Sequence, residues 1–154
     1  MRAYFFNNYY VGGIRAGIQA AHAMDQMWLQ FIDALRQGTL SGLEQSRFEM
    51  LCEFSRNHKT FILLHAGDHV VLNELANFFA TDENPYPWVK FSEPGLNDAV
   101  TSVAIVIPER LFDEASTVAG RAPIGTESSA VAVGDYSAWE IEFLKRRVVC
   151  ALAQ

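Results

Sequence analysis

The stretch GGIRAGIQAAHA, Gly12 to Ala23, follows a short apolar run at Arg2 to Phe6 and begins a long helical pattern. The apolar run is typical of a buried strand, and Asn7-Asn8 with Gly12-Gly13 indicate the loop that leaves it. From Ile14 onward, apolar residues recur at steps of three and four, which predicts one buried helical face. Its members are Ile14, Ile18, Ala21, Met24, Trp28, Phe31 and Leu35.

Polar residues in and after the same stretch have helical spacing too. Arg15, Gln19, His22 and Gln26 fall at i, i+4, i+7 and i+11, which predicts a polar stripe on the side of the helix away from the core. The first turn of the helix also offers free backbone N–H groups and a positive dipole end, so together with Arg15 it is a candidate anion or phosphate site. Alternatively, the polar stripe only faces water or another helix.

Strand and helix patterns alternate along the rest of the chain. Strands are predicted at Thr60–Leu64, Trp88–Phe91 and Thr101–Ile107, and helices are predicted to begin at Ser41, Asp68, Glu109 and Ser137. Of these helix starts, Ser41, Asp68 and Ser137 are predicted N-caps. The Glu109 helix is predicted to end at Ala115, whereas the last helix is predicted to continue through Leu152. This order predicts an α/β fold with a small mixed β-sheet of about four strands flanked by helices.

Composition favours a single globular domain over residues 1–154. Half of the residues are hydrophobic, enough to bury a core without staples. The net charge of −6 and the pI near 5.1 count against a simple nucleic-acid binder, although Arg15 and the run Lys145-Arg146-Arg147 could form local basic patches.

The sequence has no pattern typical of a metal site, a disulfide framework or a membrane protein. Cys52 and Cys150 lack CxxC spacing, and His65 and His69 straddle a Gly-Asp loop signal instead of sharing a helix face. No apolar segment approaches the length of a membrane span. We therefore expect a cytoplasmic protein without a metal, a cofactor or membrane contact.

Two local motifs resemble the archaeal- and eukaryotic-type peptidyl-tRNA hydrolases. The first is GxxxGIQAAHA: counting back from His22, Gln19 matches the family glutamine, and Arg15 stands where the family has its catalytic lysine. The second is the turn Glu93-Pro94-Gly95-Leu96-Asn97, followed by a buried strand that ends at Pro108. There, Glu93 replaces the family aspartate, Asn97 replaces the first threonine, and Thr101 retains the second.

The resemblance implies a family-like core at about residues 1–115, with residues 119–154 as an extension carrying an extra C-terminal helix. It also implies hydrolysis of the ester between a peptide and the tRNA 3′ end. In that reaction Glu93 would orient or activate water, Arg15 would hold an anionic group, and Asn97 with Thr101 would stabilise the oxyanion. Gly12, Gly13, Gln19, His22 and Gly95 would bind the ligand.

A second interpretation needs less of the sequence: a non-catalytic member of the fold that binds a nucleotide, another small anionic ligand or a protein partner. A viral or mobile-element accessory protein is one example. It is favoured by Arg15, because arginine cannot give up its proton as the family lysine can. Under either interpretation, the candidate partners are tRNA, another phosphate-bearing ligand and a second copy of the chain. Tyr136, Trp139 and Phe143 could form a homodimer contact or cover the core.

Overall fold

The computed structural model describes residues 1–111, 136–148 and 151–152. Its strands are β1 (Arg2–Asn8), β2 (Phe61–Gly67), β3 (Trp88–Glu93), β4 (Ala99–Ile107) and the two-residue β5 (Ala151–Leu152). Its helices are α1 (Ile14–Gln37), α2 (Gly42–Glu53), α3 (His69–Phe79) and α4 (Ala138–Val148), with a π-helical turn at Phe54–His58 and a 3-10 turn at Pro94–Leu96. The α/β class predicted from the sequence is confirmed.

The strands form one mixed sheet in the order β3-β4-β1-β2-β5. β1 and β2 are parallel, whereas β4 is antiparallel to both β1 and β3. β1, β2 and β3 therefore run in the same direction. Their carboxyl ends, together with the start of β4, lie at one edge of the sheet, which we call the upper edge.

Helices cover both faces of the sheet because its central strands are apolar on both sides. α1 and α2 cover one face, the α1 face, over Ala3, Phe5, Ala104 and Val106. α3 and α4 pack on the opposite face, the α3 face, whose central residues are Tyr4, Phe6, Val103, Ile105 and Ile107. A sheet buried on both faces accounts for the nearly continuous apolar runs of β1 and β4.

The buried side of α1 differs from the predicted one. Met24 and Phe31 are buried as expected, but Ile14, Ile18 and Leu35 are exposed. The helix turns a stripe of small residues toward the sheet instead, because side chains without branches let the helix axis approach the strands closely. Its small residues are Ala16, Ala20 and Ala23, and the polar Gln19 and the unbranched Met27 lie on the same buried side.

The end of β1 corrects the sequence interpretation, whereas three predicted helix caps are confirmed. Asn7 and Asn8, predicted to lie in a loop, belong to β1, because this central strand has neighbours on both sides that supply hydrogen-bond partners. The predicted N-caps at Ser41, Asp68 and Ser137 are confirmed, with reciprocal capping boxes at Ser41 and Ser137.

The final helix is shorter than predicted. α4 ends at Val148, and Leu152 pairs with β2 as part of β5. Trp139 and Phe143 are buried on the α3 face, where Trp139 stacks on Phe78 with ring centroids 4.9 Å apart. These aromatics therefore cover the core, the second of the two roles considered from the sequence.

A buried carboxylate fixes α4 to the rest of the fold. Glu140 accepts hydrogen bonds from the Tyr86 hydroxyl, the Arg110 guanidinium and the backbone N–H of Ser137. Burial alone would raise the pKa of Glu140, but these bonds outweigh burial and lower it. Burial and the bond to Glu140 raise the pKa of Tyr86.

Several predictions concern residues outside the described part of the chain. Arg110 and Leu111 are helical, whereas Glu109 lies in a turn; the rest of the helix predicted to end at Ala115 lies beyond the described residues. Cys150 and most of the extension predicted from residue 119 onward also lie outside them, apart from α4 and β5.

Candidate functional site

The two sequence motifs meet at the upper edge of the sheet. The Thr101 hydroxyl donates a hydrogen bond to Gln19 Oε1 at 2.6 Å, and Gln19 Nε2 donates one to Glu93 Oε2 at 3.0 Å. Gln19 and Thr101 are both buried. Residues more than 70 positions apart in sequence thus form one hydrogen-bonded chain, which we call the Gln19 cluster.

A β-bulge directs Thr101 to the α1 face. Phe91 pairs with Ser102, but the next residue of β3, Ser92, pairs with Val100, so Thr101 is an extra residue in β4. Strict alternation would place Thr101 on the same face as Val103, the α3 face. The bulge interrupts this alternation and re-aims the side chain at Gln19.

Glu93 ends β3 and has one carboxylate oxygen in the cluster and one outside it. Oε2 binds Gln19, whereas a Cβ built on Gly95 would lie 3.7 Å from Oε1, so the Gly95 backbone lies beside the second oxygen. The Glu93 side chain is 25% exposed. A partly exposed carboxylate that is held at one oxygen has the geometry of a group that orients water or a ligand proton.

His22 lies on the outer side of the same carboxylate. Its Nδ1 is 3.7 Å from Glu93 Oε2, and its ring lies 5.2 Å from that of Phe91. The imidazole is about half exposed, so its second nitrogen can meet solvent or a ligand. The 3.7 Å separation is longer than a hydrogen bond, so the contact brings the two groups together without fixing the orientation of the imidazole. From the sequence, the resemblance placed His22 only among the ligand-binding residues.

Arg15 and Asn97 are less closely associated with the cluster. Arg15 is exposed one helical turn before Gln19, and no ion pair joins it to another described residue. Asn97 is exposed, has left-handed backbone at φ 53°, and shares no side-chain hydrogen bond with the cluster's described members. Asparagine tolerates this conformation, so turn formation accounts for its presence.

The start of α1 is open, as a helix-terminus anion site would require. Gly13, at φ 57°, is the N-cap and provides no side-chain cap, and the first turn carries no acidic residue. Gly12 and Gly13 are exposed, and no atom lies within 4 Å of a Cβ built on either. However, Gln19 is on the buried side of this helix, so the prediction that the polar stripe faces away from the core is wrong at Gln19.

The second basic patch lies on the opposite face of the sheet from α1. α1 and α4 pack on opposite faces of the sheet, so Lys145 and Arg146 lie on the other side from Arg15. Both pair with Glu142, at 3.7 Å and 3.1 Å. They therefore provide no combined phosphate surface with Arg15.

Two buried polar residues beside the cluster were missed by sequence analysis. Asn7 and Ser102 are fully buried opposite each other on β1 and β4. A polar residue at the end of an otherwise apolar strand was the available signal, but Asn7 was assigned to a loop and Ser102 to the apolar strand.

Within the described residues, no three His, Cys, Asp or Glu side chains are grouped closely enough to hold a metal ion. Of the helices described, none has the length and apolarity needed to cross a membrane.

Comparison with known proteins adds no relative: no protein-family model, curated protein or solved structure matches the chain. The resemblance to the peptidyl-tRNA hydrolases stays a prediction from the two motifs.

Proposed function

We propose that the Gln19 cluster is the reaction site of a diverged peptidyl-tRNA hydrolase-like enzyme that cleaves the ester between a peptide and tRNA. The observation that carries the proposal is the hydrogen-bonded chain from Thr101 through Gln19 to Glu93. It joins the helix motif to the turn-and-strand motif, the two parts of the sequence that resemble this family.

The contacts give each residue a chemical role in ester hydrolysis. Glu93, fixed by Gln19, activates water, and the half-exposed His22 beside it is a second candidate base. Arg15, exposed at the start of α1, attracts the phosphate or carboxylate end of the substrate. Thr101 is 2% exposed and its hydroxyl is donated to Gln19, which favours a positioning role over the oxyanion role predicted from the sequence.

A non-catalytic member of the fold is the second candidate, and two observations favour it. Both polar atoms of the Gln19 amide are occupied within the cluster, and neither Arg15 nor Asn97 joins it through a described hydrogen bond. The net charge of −6 also weakens attraction to tRNA. Such a protein would use the open start of α1 to bind a nucleotide or another small anionic ligand, or would bind a protein partner.

Release of peptide from a defined N-acetylated peptidyl-tRNA by the purified protein is the direct test. We expect Glu93→Gln to lower kcat/KM by about 100-fold or more, because the variant cannot accept a proton from water. Arg15→Ala should mainly raise KM, with an effect that shrinks at high salt. The matched controls are Glu74→Gln and Arg36→Ala, at exposed positions away from the cluster.

Activity that is equal in Glu93→Gln and Glu74→Gln would contradict the enzyme proposal. If neither the wild type nor any variant releases peptide above background, measurements of tRNA and nucleotide binding test the second candidate. Binding that weakens with Arg15→Ala but not with Arg36→Ala would support an anion-binding role. If the protein neither releases peptide nor binds tRNA or a nucleotide, only the protein-partner form of the second candidate remains.

A further inference from the structure

A cavity lies at the opposite edge of the sheet from the Gln19 cluster. Phe61 is the first residue of β2, which runs parallel to β1, so it lies at the lower edge, where these strands begin. Phe61 is in register with Ala3, and its ring centroid is 4.6 Å from that of Phe5, so its side chain lies on the α1 face. The cavity beside it has a volume of about 360 Å³, and we call it the Phe61 cavity. The described residues that line it are Met24, Phe54, Ser55, Lys59 and Phe61.

The Phe61 cavity is open to solvent. Phe61 is 45% exposed, and Lys59, which lines the same cavity, is also exposed. Met24 and Phe54 are buried and form the inner wall. Small-molecule pockets typically measure roughly 300–1,000 Å³, so the cavity has the size for a small ligand, which can reach the inner wall from solvent.

Most of the wall is aromatic or apolar. The rings of Phe54 and Phe61 stack at an interplanar angle of 21°, with centroids 6.1 Å apart. Met24 adds a polarizable thioether, a group that makes favourable contacts with aromatic rings. A ligand ring that covers Phe61 removes apolar surface from water, and this burial favours binding.

Lys59 provides a cation that has no anionic partner in the described part of the chain. None of the described residues that line the cavity is acidic. Glu53, just before the π-helical turn, accepts hydrogen bonds from Asn57 at 2.9 Å and lies 3.5 Å from His58. Arg56, exposed on the same turn, adds positive charge. Local charge therefore favours an anionic group at this cavity, although the whole chain carries a net charge of −6.

The backbone at Lys59 is not the one that stability alone would favour for lysine. Lys59 follows the π-helical turn with φ 58°, the left-handed conformation in which helices commonly end on glycine. Lysine has a conformational cost there that glycine avoids, and π-helical turns are frequent at functional sites. Contact between the Lys59 ammonium and a ligand accounts for a lysine at this position.

The polar groups of the cavity suit a singly charged ligand with an apolar body. A carboxylate can accept hydrogen bonds from both the Lys59 ammonium and the Ser55 hydroxyl. Inorganic phosphate has no apolar body to cover Phe61, and an uncharged apolar molecule leaves the ammonium without a partner.

We infer that the Phe61 cavity binds a small aromatic carboxylate, with the carboxylate on Lys59 and the ring against Phe54 and Phe61. This binding site is separate from the proposed reaction site, because the cavity and the Gln19 cluster lie at opposite edges of the sheet. The inference therefore does not depend on the proposed function, and its tests measure binding alone.

The first test titrates protein that carries 13C-labelled methionine methyl groups with phenylacetate. The Met24 resonance is assigned by its loss in Met24→Leu, and Met50, on α2, is the internal control. We expect a saturable shift of Met24 but not of Met50, because only Met24 lines the cavity. Phenylacetamide, which has the same ring without the charge, should bind about tenfold more weakly, and acetate at the same concentration should shift neither methyl group. A Met24 methyl that is unmoved by phenylacetate, or equal affinities for phenylacetate and phenylacetamide, overturns the inference.

The second test compares variants of Lys59. Lys59→Met should weaken phenylacetate binding by about tenfold and leave phenylacetamide binding unchanged, whereas Lys90→Met, at an exposed position of β3, should change neither. Lys59→Gly should show the same loss with an unchanged or higher Tm, because glycine adopts φ 58° without strain. Phenylacetate affinity in Lys59→Gly equal to that of the wild type overturns the inference. A parallel loss of phenylacetamide binding with a lower Tm also overturns it, because the role of Lys59 would then be structural. If Lys59→Met does not fold, Lys59→Gly decides.

Discussion

Replacing Gln19 by leucine tests whether the hydrogen-bonded chain is real and how much it stabilises the fold. The change keeps a similar volume but removes the acceptor of Thr101 and the donor to Glu93. Thr101 is 2% exposed, so its hydroxyl loses its partner without access to water, at a cost of about 1–3 kcal/mol. Glu93 is 25% exposed and accepts this bond at Oε2 within the cluster, so water replaces only part of the bond it loses.

For a loss of about 2 kcal/mol in a chain of this size, Tm should fall by roughly 4–8 °C. Urea unfolding should show a lower midpoint with an unchanged m-value, because the surface exposed on unfolding stays the same. The control is Gln26→Leu, at an exposed position of α1, which should change stability by less than about 0.5 kcal/mol.

A double-mutant cycle isolates the contact between the two side chains. Thr101→Val alone leaves Gln19 Oε1 without its donor, and Gln19→Leu alone leaves the Thr101 hydroxyl without its acceptor. The double variant removes both groups, so neither is left unpaired. The double variant should therefore cost about 1–2 kcal/mol less than the sum of the single variants. Additivity within about 0.5 kcal/mol would mean that Thr101 and Gln19 do not interact, and the reasoning about the site would fail.

Three further predictions concern the supports of the fold. Glu140→Gln should lower the free energy of unfolding by about 1–3 kcal/mol at neutral pH, measured by urea unfolding. Because the pKa of Glu140 is lower in the folded protein, its contribution to stability is present above the unfolded pKa of about 4.3 and is lost as pH falls through the folded pKa. The difference in stability between wild type and variant should therefore shrink in acid. Asp68→Ala should cost about 1 kcal/mol of unfolding free energy, since Asp68 caps two N–H groups of α3; equal stability with wild type would refute the cap. Gly13→Ala should cost at least about 1 kcal/mol, because φ 57° is strained for alanine, and an unchanged Tm would contradict that backbone conformation.

The sequence was sufficient for elements whose signals are local. Side-chain oxygens at Ser41, Asp68 and Ser137 cap helices where capping chemistry predicted them, because a cap depends only on residues two or three positions away. Buried strands were found where apolar runs are continuous. Asn7 and Asn8 were misassigned because their place in β1 depends on hydrogen bonds from two other strands, which no local pattern encodes.

The site was only partly predictable for the same reason. The residue types at Gln19, Glu93 and Thr101 drew attention to the two motifs, but their contact depends on an irregularity that periodicity cannot reveal. Likewise, the exposed side of α1 was misassigned because both an isoleucine stripe and an alanine stripe fit helical spacing. Only packing of the helix against the sheet selects the alanine stripe, whose side chains are smaller.

The upper edge of the sheet combines three departures from what stability alone would favour. A bulge turns Thr101 out of the apolar pattern of β4, a buried glutamine interrupts the alanine stripe of α1, and Asn7 and Ser102 interrupt the apolar runs of central strands. The departures lie on three elements, α1, β1 and β4, and each could be an isolated irregularity. Their common position at the upper edge, where the parallel strands β1 and β2 end, is where α/β sheets carry their ligands. Departures from consistent local patterning that coincide in space mark a binding or reaction site more strongly than any one of the residues does.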